Sequence, residues 1–381
     1  MADPFTPEEV DRARRYHRAG YLTLPLGVVL SVTTLVVLSF GSWGDRLYRL
    51  LGPFPWWGRT LAFAAVVVAI SFAVRLPLSL WRGYLHERKW GFSTQRLLGW
   101  FADRAKGLVV GLVLISGAML GLILLARVFP GGWPLAAAPA GACLILVLSF
   151  VAPVILEPIF HRFAPVAEQR LAEDLRALAA RAGVPVRDVL AADASRRTRK
   201  ENAYVSGLGR TRRVVVYDTL LARARPQVRL VVAHELGHRR MRHVAKGTAL
   251  GMAGIILLVF ALWALLRDEG ILGAIGARAA GDPRVVPFVL LVGTALNLLS
   301  LPLRSALSRR WERDADRFSL ELTQDAQVFE DSHRALALAN LSDLAPPRFV
   351  YLALFTHPSP PERIAAARRW ARQARPPPTT A

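Results

Sequence analysis

The sequence predicts a mainly α-helical integral membrane protein, with about six transmembrane helices and a cytoplasmic domain that contains a small β-hairpin or sheet. Three observations carry that expectation. Of the 381 residues, 53% are hydrophobic, and the mean hydropathy of +0.32 is too high for a soluble chain of this length. Five uncharged runs, residues 19–44, 107–126, 128–156, 247–266 and 285–303, reach the roughly 20 residues needed to cross a bilayer. A sixth, 60–81, is broken only by Arg75. Lysine and arginine alternate between the loops: four in 1–20 and six in 82–106, against three, one and three in 41–59, 127–131 and 267–284. This positive-inside pattern puts both termini and the long polar segments 159–246 and 304–381 in the cytoplasm.

Taken in order, the first 18 residues hold four arginines and four acids with no apolar stretch, so no removable signal peptide is expected. Residues 1–158 then form a membrane region of four spans. Segment 159–246 opens with a charged helical stretch, Pro165–Gly183. It continues with "NAYVSGLGRTRRVVVYDT", two β-prone runs around a glycine turn, which predicts a hairpin. Pro226 suits the first turn of a helix running through "VVAHELGHRRMRH". Residues 247–303 supply two more spans. Segment 304–381 starts as the helix "SRRWERDADRFSLEL" and ends in a proline-rich tail expected to fray. The one cysteine, Cys143, lies in the fourth span, which excludes an intramolecular disulfide and a cysteine metal cage. The net charge of +21 is a topology signal that also attracts anionic lipid. Without a recognised binding module it does not indicate nucleic acid as a partner.

The chemistry lies in "HELGH". On a helix, His234 and His238 stand one above the other and can reach one metal ion. Glu235 projects beside them, where it can take a proton from water at the metal. A chance match in a chain with eight histidines has a probability of roughly one in a hundred. A catalytic zinc, one per chain, needs a third protein ligand. Asp268 and Glu269 fall about 30 Å away, across a span. His243 follows His238 with no intervening glycine, outside the H-E-x-x-H-x-x-G-x-x-H arrangement. In "WERDADRF", Glu312 and Asp316 are i and i+4 and share a face; one can bind zinc while the other orients a ligand histidine. Spacing leans to Glu312, and Asp314 points away.

These residues resemble the type I CAAX prenyl proteases. The likeness rests on "HELGH" before a span, a later "ERDAD", the upstream "ENAYVSG" and the downstream "HPSPPER". It extends to "EEVDRARRY", "KWGFSTQRL" and "PIFHRFAPV", so it covers about residues 7–370. The resemblance implies an integral-membrane zinc metallopeptidase whose helices surround an intramembrane chamber, with a cytoplasmic zinc-metalloprotease domain shared between 159–246 and 304–381. It implies His234, His238 and Glu312 as zinc ligands, Glu235 as catalytic base and Asp316 as the partner of the site. Asn202 falls where the family holds the substrate backbone, on an edge strand that can pair with an extended peptide. His357 and Arg363 fall near the catalytic centre, where they position substrate or stabilise the oxyanion. The yeast and animal enzymes have seven spans, so this chain lacks the first. Its arginine- and alanine-rich composition suggests a bacterial inner or plasma membrane. CAAX prenylation is not expected there, which leaves processing or clearance of membrane-associated polypeptides, lipidated or not, as an equal role.

Other positions have plainer readings. Arg75, near a span end, is either functional or snorkels. Tyr204 either helps form the substrate groove or packs on its domain. His17, His86, His161, His243 and His333 read as ordinary polar residues, and Arg239–Arg242 as an interfacial anchor. The competing function is a membrane scaffold or carrier whose HELGH helix is only structural.

Overall fold

A computed structural model describes residues 4–207 and 209–374; the proline-rich tail lies outside them. Among the described residues, six helices are long and apolar enough to cross a membrane. The first four are α1 (Pro7–Phe40), α2 (Trp56–Leu80), α3 (Leu97–Val128) and α4 (Trp133–Val151). α1 starts on a capping box, Thr6 with Glu9, and Pro7 in its first turn, which together satisfy its orphan N–H groups. α2 and α4 run on through π-helical turns into short helices that end at Lys89 and Phe160.

The polar segment that follows builds a four-stranded sheet with two helices. In chain order these are β1 (Phe163–Pro165), α5 (Gln169–Arg181), β2 (Asp188–Ala192), β3 (Ala203–Ser206), β4 (Arg213–Tyr217) and α6 (Arg225–Arg240). The strand order is β1-β2-β4-β3. The expected hairpin is the antiparallel β3–β4 pair, with Ala203 opposite Val216, and β2 adds to it in parallel. Val214, Val215 and Val216 are fully buried, as a strand covered on both faces requires. Leu175, Leu178, Val189, Val232 and Leu236 close the core beneath them. The helix expected from Pro165 begins only at Gln169, because 163–165 pair with β2 instead.

Next come two more spans, α7 (His243–Leu265) and α8 (Val286–Thr323), joined through a short helix at Glu269–Ala274, and then α9 (Ala326–Ala339), α10 (Arg348–Leu354) and α11 (Pro360–Ala374). α8 joins the sixth span and the "ERDAD" helix in one rod of 38 residues, about 57 Å long.

The spans form a closed ring in which α1 packs on α2, α2 on α3, α3 on α4, α4 on α7, α7 on α8, and α8 back on α1. Their apolar windows are only 0–28% buried. α2 also touches α8 across the ring. A core shared by all six spans, with Leu35, Phe63, Ile123, Ala137, Leu262 and Val286 among its members, fills the end away from the metal centre. The ring is hollow toward the metal centre. Outward, Leu135, Leu299 and Leu303 are 73%, 77% and 75% exposed, as lipid contact requires. Inward, cavities of about 510, 720 and 650 Å³ adjoin, sharing Arg104 and Lys200 as common walls. A further 540 Å³ cavity, sharing Asn202, reaches the HELGH helix.

Candidate metal centre

α6 presents Val228, Val232, Ala233 and Leu236 to the core, which turns His234, Glu235 and His238 toward α8. The approach is close because of Gly237. A Cβ there would lie 3.1 Å from Phe318 Cδ1 and 3.2 Å from the Ala315 Cα, so a side chain would push the two helices apart.

The donors converge as a result. His234 Nε2 and His238 Nε2 are 3.1 Å apart. Glu312 on α8 brings Oε2 to 3.2 Å from His234 Nε2 and Oε1 to 3.3 Å from His238 Nε2. The opposite ring edges face other groups. His234 Nδ1 is 2.9 Å from Asp316 Oδ1, and His238 Nδ1 is 3.0 Å from His243 Nδ1. Protons on both Nδ1 atoms leave lone pairs on both Nε2 atoms, aimed at a carboxylate. Glu312 Oε2 is buried with no hydrogen-bond partner. Such a cluster of lone pairs repels itself unless a cation lies between them. Tetrahedral ligands at about 2.0–2.1 Å from a zinc ion stand about 3.3 Å apart, which these separations match. The residues fit a metal.

A carboxylate oxygen of Glu235 lies within 4.8 Å of a ring nitrogen of each histidine, further out than Glu312. Burial pushes the Glu235 carboxyl above its ordinary value. Burial pulls the His234 imidazolium down, but the carboxylates of Asp316 and Glu312 on either edge of the ring outweigh it and raise it to about 9. Without metal, the site therefore holds a proton as its cation.

Arg363 lines the same cavity as His234 and Glu235, and its Nε donates to Asp316 Oδ2 at 2.8 Å. His357 Nε2 is 3.3 Å from Glu312 Oε1, with 59% of the side chain exposed. Thr356 Oγ1 is 2.9 Å from His357 Nδ1 and can donate to it, which leaves the His357 proton on Nε2. Asn202 shares a cavity wall with His234 and Glu235. Tyr204 turns away to Glu157, at 3.5 Å, and packs edge-on against Tyr217.

Two histidines read as ordinary polar residues, His243 and His333, lie against the cluster. His243 lies five residues after His238, off its helical face. The chain breaks at Arg242, whose φ of 57° is left-handed, and this turn brings His243 back onto His238. There its ring stacks on Trp311 at 5.2 Å and 10°. His333 on α9 is buried, stacked on Phe329, and 3.9 Å from Asp316. Helical periodicity carries no signal for either. Nor does Arg239 anchor an interface; its Nε donates to the Val205 carbonyl at 3.0 Å and ties α6 to β3.

The sequence profile of Peptidase family M48 matches residues 165–371, which include every side chain of this cluster. The chain belongs to peptidase family M48. A second profile, the CAAX prenyl protease N-terminal region described as five membrane helices, matches residues 1–162. Among the described residues that stretch holds four spans. This M48 peptidase is 28% identical to the uncharacterized metalloprotease YhfN of Bacillus subtilis, over 97% of this chain and 88% of that one. It is 27% identical to CAAX prenyl protease 1 of Saccharomyces cerevisiae, over 81% and 72% of the two chains. The crystal structure of Ste24p from S. mikatae has the same fold, with a TM-score of 0.85 at 21% identity, covering 96% of this chain and 90% of that one. The M48 protein is therefore a multi-pass membrane metalloprotease of the CAAX prenyl protease family, acting on peptide or protein substrates.

Proposed function

We propose that the protein is a zinc endopeptidase in which His234, His238 and Glu312 hold one zinc ion. The observation that carries this is the set of three donors 3.1–3.3 Å apart with an orphaned carboxylate oxygen among them. Zinc, when bound, supplies Lewis acidity that makes water more acidic and the peptide carbonyl more electrophilic.

The chain's own residues do the rest. Glu235 accepts the proton of the attacking water and passes it to the leaving amine. His357 Nε2–H faces the same cavity and donates to the carbonyl oxygen as that oxygen gains charge. Asp316 and His243 accept the Nδ1 protons of the two ligand histidines and fix their orientation. Arg363 holds Asp316 in turn.

The substrate is an extended peptide added at the free edge of β3. Alternate residues of an antiparallel strand face one neighbour. The Asn202 carbonyl accepts from the Tyr217 N–H, so Ala203 and Val205 face the open edge. The Ala203 N–H is capped by the Asn202 side chain and the Val205 carbonyl by Arg239. The Ala203 carbonyl and the Val205 N–H remain for the peptide. Asn202 thus sets the register of the edge next to Glu235.

The asymmetry of basic loops favours a bilayer orientation with both termini and the metal centre in the cytoplasm. The hollow ring beside the site suits a membrane-associated polypeptide, lipidated or not.

Elemental analysis tests the chemistry. Near one zinc per chain is expected, and almost none in Glu312→Ala; a wild-type chain that folds and cleaves peptide without zinc would overturn the assignment. Orientation is tested with an impermeant thiol reagent in a Cys143→Ser background. Arg199→Cys and Gln373→Cys should label from the cytoplasmic side and Leu50→Cys from the other.

A further inference from the structure

Arg75 does not snorkel toward lipid. It lines the 510 Å³ cavity inside the helix ring, together with Arg82 and Arg104, and the same walls hold Ser31, Leu78 and Thr294. Arg75 and Arg82 are two turns apart on one face of α2 and its extension. The Arg82 guanidinium passes over Gly20 of α1, 3.3 Å from where a Cβ would stand. Arg104 reaches in from α3, with its guanidinium 5.1 Å from the Trp100 ring.

None of the three makes an ion pair among the described residues. Glu87, the acid in the same wall, is already paired with Lys200 at 2.8 Å. All three are exposed to the cavity, so their guanidinium groups are free to meet an anion that enters it, the role such intramembrane charges commonly serve.

The depth of the cavity indicates which anion. Arg75 comes nineteen residues after Trp56, about 28 Å along the helix, close to the roughly 30 Å of a hydrocarbon core. Arg82 then lies level with the lipid headgroups on the side of the metal centre. A carboxylate needs only one guanidinium for a bidentate pair. Three guanidinium groups with hydroxyls and apolar wall between them match a phosphate that carries a glycerol and the start of acyl chains.

We propose that Arg75, Arg82 and Arg104 form a phosphate subsite that holds the headgroup of an anionic phospholipid inside the ring. The site is independent of the metal chemistry. It gives the hollow ring a resident lipid beside the path to the metal centre.

The test uses the full chain, assembled in nanodiscs of equal parts phosphatidylcholine and phosphatidylglycerol. Native mass spectrometry then counts the lipid retained after transfer to detergent. The variant Arg75→Gln/Arg82→Gln/Arg104→Gln should retain at least about tenfold less phosphatidylglycerol, since each charge-assisted contact is strong. A matched loss of charge on the outside, Arg14→Gln/Arg96→Gln/Arg310→Gln, should change retention little. Zinc content checks the fold of each variant, and Arg82→Gln alone should show a partial loss if the triple variant fails to fold. Equal losses in the two triple variants, or none in the first, would overturn the proposal. So would displacement of the lipid by an equal concentration of inorganic phosphate, which would assign the cavity to free phosphate. Displacement by a peptide acid but not by its amide would assign it to a peptide end and overturn the proposal equally.

Discussion

Replacing His243 with phenylalanine keeps a ring of similar shape to stack on Trp311, 5.2 Å away, and removes the acceptor 3.0 Å from His238 Nδ1. The two states of the site feel this differently. In the metal-free protein His238 can move its proton to Nε2 and donate it to Glu312, 3.3 Å away, so nothing is left unpaired. Holding zinc requires the lone pair on Nε2 and hence the proton on Nδ1, where the introduced phenyl ring offers no acceptor. A half-buried donor left unsatisfied costs about 1–3 kcal/mol, and losing an outer partner of a metal ligand typically weakens binding about 10–100-fold. The zinc dissociation constant, measured by competition with a chromophoric chelator, should therefore rise about 10–100-fold. The melting temperature of the chelator-stripped protein should hold or rise slightly, because the wild-type His243 Nε2 is itself buried without a partner. A dissociation constant within about threefold of wild type, well under that range, would refute the reasoning. So would an equal loss of apo-protein stability, because His243 would then only be packing.

Glu235→Gln keeps the shape of the side chain without its basicity; it should fold and bind zinc while kcat falls by about 10⁴ or more, the top of the range for general-base catalysis. Measurable turnover by the zinc-loaded variant would point to another base, with His357 the first to examine. Gly237→Ala inserts a methyl 3.1–3.2 Å from Phe318 and Ala315. Overpacking of that kind costs about 1–3 kcal/mol, so the melting temperature and the zinc affinity should fall together; loss of neither would mean that the α6–α8 approach is not tight. The pH dependence has a definite sign: His234 in the metal-free protein holds its proton up to about 9, and zinc must displace it. Apparent zinc affinity should then rise about tenfold per pH unit below that value and level off above it, the behaviour of a one-proton exchange. A flat profile from pH 6 to 8 would contradict it.

The length and charge asymmetry of the apolar runs were legible in the sequence, because a bilayer imposes its thickness on each span separately. So was the HELGH helix, whose two histidines share a face through a period that belongs to one segment alone. The choice between Glu312 and Asp316 was not decidable from periodicity, since i and i+4 share the same face. The packing of α8 on α6 decided the geometry. Glu312 lies level with both Nε2 atoms, whereas Asp316, one turn further along, meets the other edge of His234. His243 and His333 were hidden for a related reason: one arrives through a left-handed residue, the other from a separate helix. Arg75 looked like a span-end arginine until the ring closed and gave its face an inside. Local periods are written within each segment. Which faces meet, and at what depth, depends on contacts such as Gly237 on Ala315, which exist only once the helices have packed.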